Sequence, residues 1–478
     1  MKVRIALAAL ALTSCFRNPV TGNLQLDLMT ESQEIAMGQE AKKQVEQSIG
    51  LYKNPAIEAY VAELGKGLAA VSGRTQVPFS YEVVDDPAIN AFALPGGPIF
   101  VTRGILTHLN SEAELAAVMG HETGHVVARH SANQISKGEV AQLGLGVGSI
   151  LSPTLGALSQ AAGAGLQLLF LKFSREDETQ ADELGFRFMT KDGYDPHTMV
   201  NLFKMLGGLG KEAGVSTKMP EYLQTHPDPE NRLAATQQRL ATELKGDTVG
   251  AKIDREKYLA VIDGMTYGED PRQGYFKGDA FLHPGLKFQF NMPPGWKHQN
   301  APDAVAGMSD KQDAVLQLAP GGKGSPQDAA QKFFSQQGVK QGAAASGTVH
   351  GDQAISSYFT GTTQQGEVSG LVTFFSHGGM TYAMLGYTSA AQMAAYDPVF
   401  KASMASFGPL TDPAALNAQP ARLKIVKLAA PMTVEQFNQR YPSTVPLFSV
   451  ALINGVDENG TIPAGSAKQV TGGMGPNK

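Results

Sequence analysis

Five consecutive residues, His121-Glu122-Thr123-Gly124-His125, have types and spacing suited to hydrolysis assisted by a metal ion. On a helix, positions 121 and 125 lie about 40° apart and one turn along, so both imidazoles leave the same face. Two imidazoles so placed can share one tetrahedral zinc at about 2.0 Å. Glu122 falls beside that face. It suits a general base drawing a proton from metal-activated water better than it suits a ligand. A catalytic zinc needs a third protein ligand and an open fourth position, and the acidic run Ser174 to Glu183 offers candidates. At helical spacing Glu176, Gln180, Glu183 and Arg187 make a polar, solvated face, whereas Glu178, Ala181, Asp182, Gly185 and Met189 make another. Small residues at 181 and 185 would let that second face approach the first helix. Glu178 is therefore the expected third ligand. Asp182, one turn on, is the expected acceptor for the outer N–H of a ligating histidine. His130 lies about 180° around from His121 if the helix continues, so it is expected to face solvent or to serve structure.

These side chains need two helices and a scaffold. Ser111 with Glu114 reads as a capping box opening a helix through about His130, and Ser174 opens one through about Lys191. Ala116, Ala117, Val118, Met119, Val126 and Val127 predict that the first is mostly buried, where two histidines and a glutamate without partners would be costly. Upstream, Thr30 with Gln33 caps a helix toward Ser48, and Ile57, Tyr60, Val61, Leu64 and Leu68 recur at helical spacing. Tyr81 and Val83, then Ile99 and Val101, read as strands, with turn formers at Ala93-Leu94-Pro95-Gly96-Gly97 between them. The order predicts an α+β fold, mostly helical with a short sheet.

H-E-T-G-H followed by S-R-E-D-E-T-Q-A-D resembles the zinc peptidase family that contains the CAAX prenyl proteases, the membrane heat-shock protease and the periplasmic β-barrel-assembly-enhancing protease. Asn90 to Gly97, and Thr225-His226-Pro227 with Arg232, extend the resemblance, which runs from near residue 30 to near residue 245. It implies a zincin-type metalloprotease domain with one Zn2+ per chain on His121, His125 and Glu178, and Glu122 as catalytic base. It also implies an active-site role for His226, as ligand, gate or donor to the oxyanion, with Arg232 a second donor. The strand before the active helix would pair with an extended substrate, which puts Phe92, Ala93, Leu94, Gly96 and Gly97 at a substrate-binding edge. Unlike the β-barrel-assembly protease, this chain lacks an evident helical-repeat C-terminus, which leaves partner identity open.

The chain has 478 residues, 42% hydrophobic and 17% charged, with a net charge of -5. That is room for several domains, excludes a wholly disordered chain and gives no basic footprint for nucleic acid, so no nucleic-acid partner is expected. Cys15 is the sole cysteine, which excludes an internal disulfide and a thiolate metal cluster. It follows a basic start at Met1 to Arg4, an apolar run from Ile5 to Leu12 and small Thr13-Ser14, the layout of a secretory signal. Leu12-Thr13-Ser14-Cys15 also resembles a bacterial lipobox in which Cys15 becomes the lipidated first residue, and Phe16 rather than Asp after it favours the outer over the inner membrane. The expectation is a lipoprotein of the bacterial cell envelope, facing the periplasm and held at the membrane by its lipid anchor.

The expected division is a signal peptide over 1–15, a tether over 16–29, the protease domain over 30–262 and a linker over 263–284. An α+β accessory domain over 285–408, a linker over 409–422, a small β-α-α-β module over 423–470 and a tail over 471–478 complete it. The module resembles a divergent LysM, a binder of peptidoglycan, with a plain structural cap as the alternative. Residues 140–171 carry no charge, which admits a spanning hairpin, a mobile loop or a close-packed helical pair; Pro153 and the interspersed glycines and glutamines weigh against spanning. The expected function is a zinc-dependent metalloendopeptidase acting on misfolded or misassembled envelope proteins. Its rival is a lipid-anchored, peptidoglycan-associated scaffold or holdase with a latent protease domain.

Overall fold

The computed structural model describes residues 15–26, 28–145, 168, 171–213, 221–243, 251–301, 304–322, 324–363 and 366–473. Most of the expected signal peptide and most of the uncharged stretch lie outside the described residues, among which no helix is long and apolar enough to cross a membrane. The chain forms two compact units, Met1–Glu269 with Ala421–Lys478, and Asp270–Pro420.

In the first unit a hairpin of β1 (Cys15–Arg17) and β2 (Leu24–Leu26) precedes α1 (Glu31–Ser48), whose Thr30–Gln33 capping box is formed. The apolar stripe of α2 (Pro55–Val71) is buried at Ile57, Val61, Leu64 and Leu68. Three strands follow, β3 (Ser80–Val84), β4 (Ala91–Ala93) and β5 (Pro98–Thr102), in the order β3-β5-β4 with β3 parallel and β4 antiparallel to β5. All of β5 is buried, as a strand covered on both faces must be, and β4 is left at the edge. The helices are α3 (Arg103–His108), α4 (Glu112–Val127), α5 (His130–Leu145), α6 (Arg175–Lys191), α7 (Thr198–Ala213), α8 (Glu221–Thr225), α9 (Pro229–Glu243) and α10 (Arg255–Ile262), ahead of a short strand β6 (Thr266–Tyr267).

Every residue of α4 is buried, so the helix carrying the histidine pair runs through the middle of the core. The Ser111 hydroxyl caps it by accepting from Glu114 N, but the reciprocal half of the expected capping box is absent. The Glu114 carboxylate instead accepts from Asn110 N at 2.6 Å. Its surroundings are tertiary: the Lys468 and Arg255 charges lie beside it.

The second unit is built on a seven-stranded antiparallel sheet and a four-stranded one. Its strands are β7 (Tyr275–Lys277), β8 (Ala280–His283), β9 (Phe288–Asn291), β10 (Lys297–Ala301), β11 (Ala304–Met308) and β12 (Ala314–Gly322), followed by helix α11 (Pro326–Phe334). Then come β13 (Val339–Val349), β14 (Asp352–Thr363), β15 (Gly366–His377), β16 (Met380–Ser389), helix α12 (Met393–Ala405), β17 (Gly408–Pro409) and α13 (Pro413–Leu416). Phe281, Phe288, Phe290, Phe375, Phe400 and Phe407 fill its core, so these aromatics are structural.

The C-terminal segment has the expected strand-helix-helix-strand order, with β18 (Ala421–Leu428), β19 (Met432–Thr433), α14 (Val434–Arg440), α15 (Leu447–Ile453), β20 (Thr461–Ile462) and β21 (Gly465–Gly472). It does not stand apart. β18 pairs with β6 as well as with β21, and the buried Lys468 ammonium donates to Thr107 O at 3.0 Å and Leu109 O at 2.5 Å. The two segments read as linkers are also partly ordered. Their Gly, Asp and Pro residues are turn residues of short elements, such as the Gly278 turn between β7 and β8 with φ +60°, rather than flexible chain.

Candidate metal centre

The helices α4 and α6 meet at small residues. A Cβ on Gly185 would lie 2.8 Å from His121 N, and one on Gly124 would lie 2.9 Å from Ala181 O. That closeness brings four side chains to one point. His121 Nε2 is 3.0 Å from His125 Nε2; Glu178 reaches them with Oε2 at 3.5 Å from the first and Oε1 at 3.4 Å from the second. His226, just past α8, adds its Nδ1 at 2.9 Å from Glu178 Oε1 and 3.4 Å from His121 Nε2. All four are buried, with one donor atom of each inside a span of 4.8 Å. Ligands 2.0–2.1 Å from a common tetrahedral ion stand about 3.3 Å apart, so imidazoles and a carboxylate at these separations fit Zn2+.

The surroundings tune these donors. His121 Nδ1 lies 2.9 Å from Asp182 Oδ1, and because a carboxylate only accepts, the proton sits on Nδ1 and the Nε2 lone pair faces the centre. Arg232 donates to both Asp182 oxygens, at 2.8 and 2.7 Å, and its Nη1 stands 2.9 Å from Glu178 Oε2. Burial opposes the charge on Glu178, but His226, Arg232 and His121 together hold its carboxyl well below the usual range. Burial likewise opposes charge on Asp182, and Arg232 outweighs it. Burial and the Arg232 charge press His121 down, yet the Glu178 and Asp182 carboxylates lift it to about 9. The negative field that holds a proton there is the field a divalent cation needs.

Glu122 is fully buried, and neither carboxylate oxygen has a hydrogen-bond partner; Oε1 is 3.6 Å from His226 Nε2. Burial raises its pKa above the ordinary carboxylate value. Close by, the buried Tyr222 hydroxyl also lacks a hydrogen-bond partner, whereas Arg232 Nη1 is paired with Glu178 Oε2 at 2.9 Å. The Tyr222 ring packs on His226 with centroids 4.5 Å apart, and its phenol feels the charges of Arg232, Glu122, Glu178 and Asp182. Unpaired polar atoms this deep are rare, and those of Glu122 and Tyr222 both lie beside this cluster.

Residues 55–240 match peptidase family M48. The mitochondrial metalloendopeptidase OMA1 of Schizosaccharomyces pombe is 32% identical over 235 residues, which cover 48% of this chain and 68% of that protein. The chain belongs to peptidase family M48. A beta-barrel assembly-enhancing protease of Yersinia pestis is 31% identical over 246 residues, half of each chain. Mitochondrial metalloendopeptidase OMA1 of Arabidopsis thaliana is 39% identical over 168 residues, 35% of this chain and 33% of that one. The chain thus spans about half the length of the beta-barrel assembly-enhancing proteases it matches.

The remaining expected M48 site residues fall as follows. Phe92 and Leu94 are buried beneath α1 with Phe100, and Gly96 and Gly97 have φ of +68° and +124° in a turn where a Cβ would strike Ile35 Cα or Pro78 O. These side chains serve packing; what β4 can present is backbone. Leu94 N bonds to Pro98 O and Asn90 O accepts from Thr102 N, so by the two-residue alternation the polar groups of Ala91 and Ala93 turn away from β5.

One expectation is overturned and one is narrowed. α4 ends at Val127, short of the expected end near His130, Arg129 takes a left-handed φ of +56°, and His130 opens α5 with its ring buried against His125, the structural one of its two expected places. Gln180 is buried rather than solvated, because Asn18 and His130 both reach its side chain. Tyr222 was not singled out from the sequence, although its place four residues before His226 on a helical spacing is the pattern that brings two rings together.

Proposed function

We propose that this chain is a zinc-dependent endopeptidase that cleaves misfolded or misassembled proteins of the bacterial cell envelope. The observation that carries the reading is the meeting of His121, His125 and Glu178 beside an unpartnered, buried Glu122. His121, His125 and Glu178 would hold the zinc. When bound, zinc supplies a Lewis acid that polarises the scissile carbonyl and lowers the pKa of water toward about 7. Glu122 takes the proton from that water and passes it to the departing amine, a task suited to a carboxyl whose burial raises its pKa. The Tyr222 hydroxyl is a buried donor without a partner, available to the oxygen that gains negative charge; Arg232 would join it by giving up its 2.9 Å pairing with Glu178 Oε2. His226 is the fourth donor and sits just beyond a five-residue helix, which makes it the one to yield its place to substrate. The outward groups of the half-buried Ala93 supply backbone pairing for an extended chain, the fully buried Ala91 being out of its reach.

Family membership supports peptidase chemistry, and the lipobox-like Leu12 to Cys15 supports anchorage at the envelope, with the outer membrane favoured and the active centre in the periplasm. The segment Leu423 to Val470 is the part proposed to touch peptidoglycan. The test is cleavage of an unfolded protein by the full chain, with zinc removed by chelator and added back. Glu122→Gln should keep stoichiometric zinc and lose on the order of 10²–10⁴-fold in rate. A Glu122→Gln protein as active as the parent would end the assignment.

A further inference from the structure

His125 turns Nε2 toward the metal centre, so its Nδ1 must carry the proton and donate it. The atom opposite belongs to no carboxylate: it is His130 Nδ1, at 2.9 Å. An imidazole accepts at Nδ1 only as the tautomer protonated on Nε2, and His130 Nε2 stands 3.2 Å from Gln180 Oε1, with Asp177 Oδ1 at 3.7 Å as a second acceptor on that side. A glutamine can show either end of its amide to such a neighbour. Asn18 decides which. Its Oδ1 accepts from the backbone N–H groups of Val20 at 2.8 Å and Thr21 at 3.0 Å, and because a backbone N–H can only donate, the other end of the Asn18 amide is NH2. That NH2 donates to Gln180 Oε1 at 2.6 Å and holds the oxygen toward His130, while Gln180 Nε2 donates outward to Glu176 Oε1 at 3.3 Å. Asn18, Gln180 and His130 are all buried, so water does not offer an alternative partner.

We propose that Asn18, Gln180 and His130 form a relay of hydrogen-bond polarity that holds His125 in its metal-binding tautomer, so that the N-terminal segment helps to set zinc affinity. The inference rests on the metal centre assigned above. All three are positioning residues that act through His125. A swap that keeps shape but reverses polarity exposes the relay: Asn18→Asp sets an oxygen against Gln180 Oε1, the glutamine must turn its NH2 inward, and His130 then has to take its proton on Nδ1, against that of His125. Gln180→Met removes the acceptor outright.

The experiment titrates the full-length apo-protein with zinc alone against a chromophoric chelator, and records the absorption spectrum of the Co2+-loaded protein. Asn18→Asp and Gln180→Met should bind zinc on the order of 10- to 100-fold more weakly and shift the Co2+ bands. Arg17→Ala, which removes only an exposed bond to Gly22 O at 2.6 Å, should match the parent. Parent-like affinity in both relay variants overturns the proposal. Should Asn18→Asp fail to fold, long-range 1H–15N spectra of the histidine-labelled, zinc-loaded parent decide: a His130 protonated on Nε2 supports the relay and one protonated on Nδ1 overturns it. A parent that binds no zinc overturns the metal centre itself, a result distinct from failure of the relay.

Discussion

Glu122 and Tyr222 share one property, full burial without a hydrogen-bond partner, yet only the first was legible in the sequence. Glu122 sits inside a five-residue motif whose spacing states its chemistry, whereas a tyrosine between Glu221 and Leu223 looks like any core aromatic until the fold stacks it on His226. If the phenol donates to the developing oxyanion, Tyr222→Phe should lower kcat on the order of 10²–10³-fold while KM and zinc content hold. A change in KM alone would make it a packing residue. His108 gives a second expectation at this scale, away from the metal. Burial, helped by the Lys468 charge and opposed by the Gly104 carbonyl, lowers it from 6.5 to about 4. Between those values the unfolded chain binds a proton that the folded chain does not, so stability is lost as pH falls through that window, on the order of 3 kcal/mol by its lower end. Thermal unfolding of parent and His108→Gln across pH 4 to 6.5 checks this. Identical pH slopes would refute it.

Elements whose limits depend on neighbouring residues were readable; those set by distant contacts were not. The capping boxes at Thr30 and at Ser174 with Asp177 are local exchanges between a hydroxyl and a side chain three residues on, and both form. The end of α4 is different. Arg129 leaves the helix because its guanidinium donates to Glu34 Oε2 and Met29 O, each at 2.7 Å, and neither partner is near it in sequence. That one left-handed residue makes His130 a neighbour of His125 rather than a residue on the far side of a continuous helix. The contact of α4 with α6 carries its own prediction. A methyl at Gly185 would meet the backbone of α4, so Gly185→Ala should cost about 1–3 kcal/mol and weaken zinc binding by prising Glu178 from the histidines. Calorimetry and a zinc competition assay measure the two effects, and an undisturbed melting temperature with full zinc affinity would show that the helices can part without loss.

At the scale of the molecule, the surprise is that Ala421–Lys478 belongs to the same compact unit as the metal centre. Lys468 explains much of it. Its ammonium closes the end of α3 by bonding Thr107 O and Leu109 O, beside the buried Glu114 that braces the start of α4. Lys468→Met should therefore leave two buried carbonyls without their donor and destabilise the unit by about 2–4 kcal/mol, seen as a lowered unfolding temperature. A parent-like unfolding temperature would mean that the segment is dispensable to that unit. By itself the amino-acid sequence determined the metal chemistry, the pairing of His121 and His125 with a carboxylate on a second helix, and the α+β class, because each follows from helical spacing, apolar periodicity or residue type within a few turns of chain. Only the tertiary structure decided that Tyr222 joins that centre, how close His226 comes to Glu178 and His121 there, that Asn18 reaches it through Gln180 and His130, and that the last strand returns to seal the unit. Those outcomes depend on which distant groups burial forces to satisfy one another, and chain spacing carries no record of that.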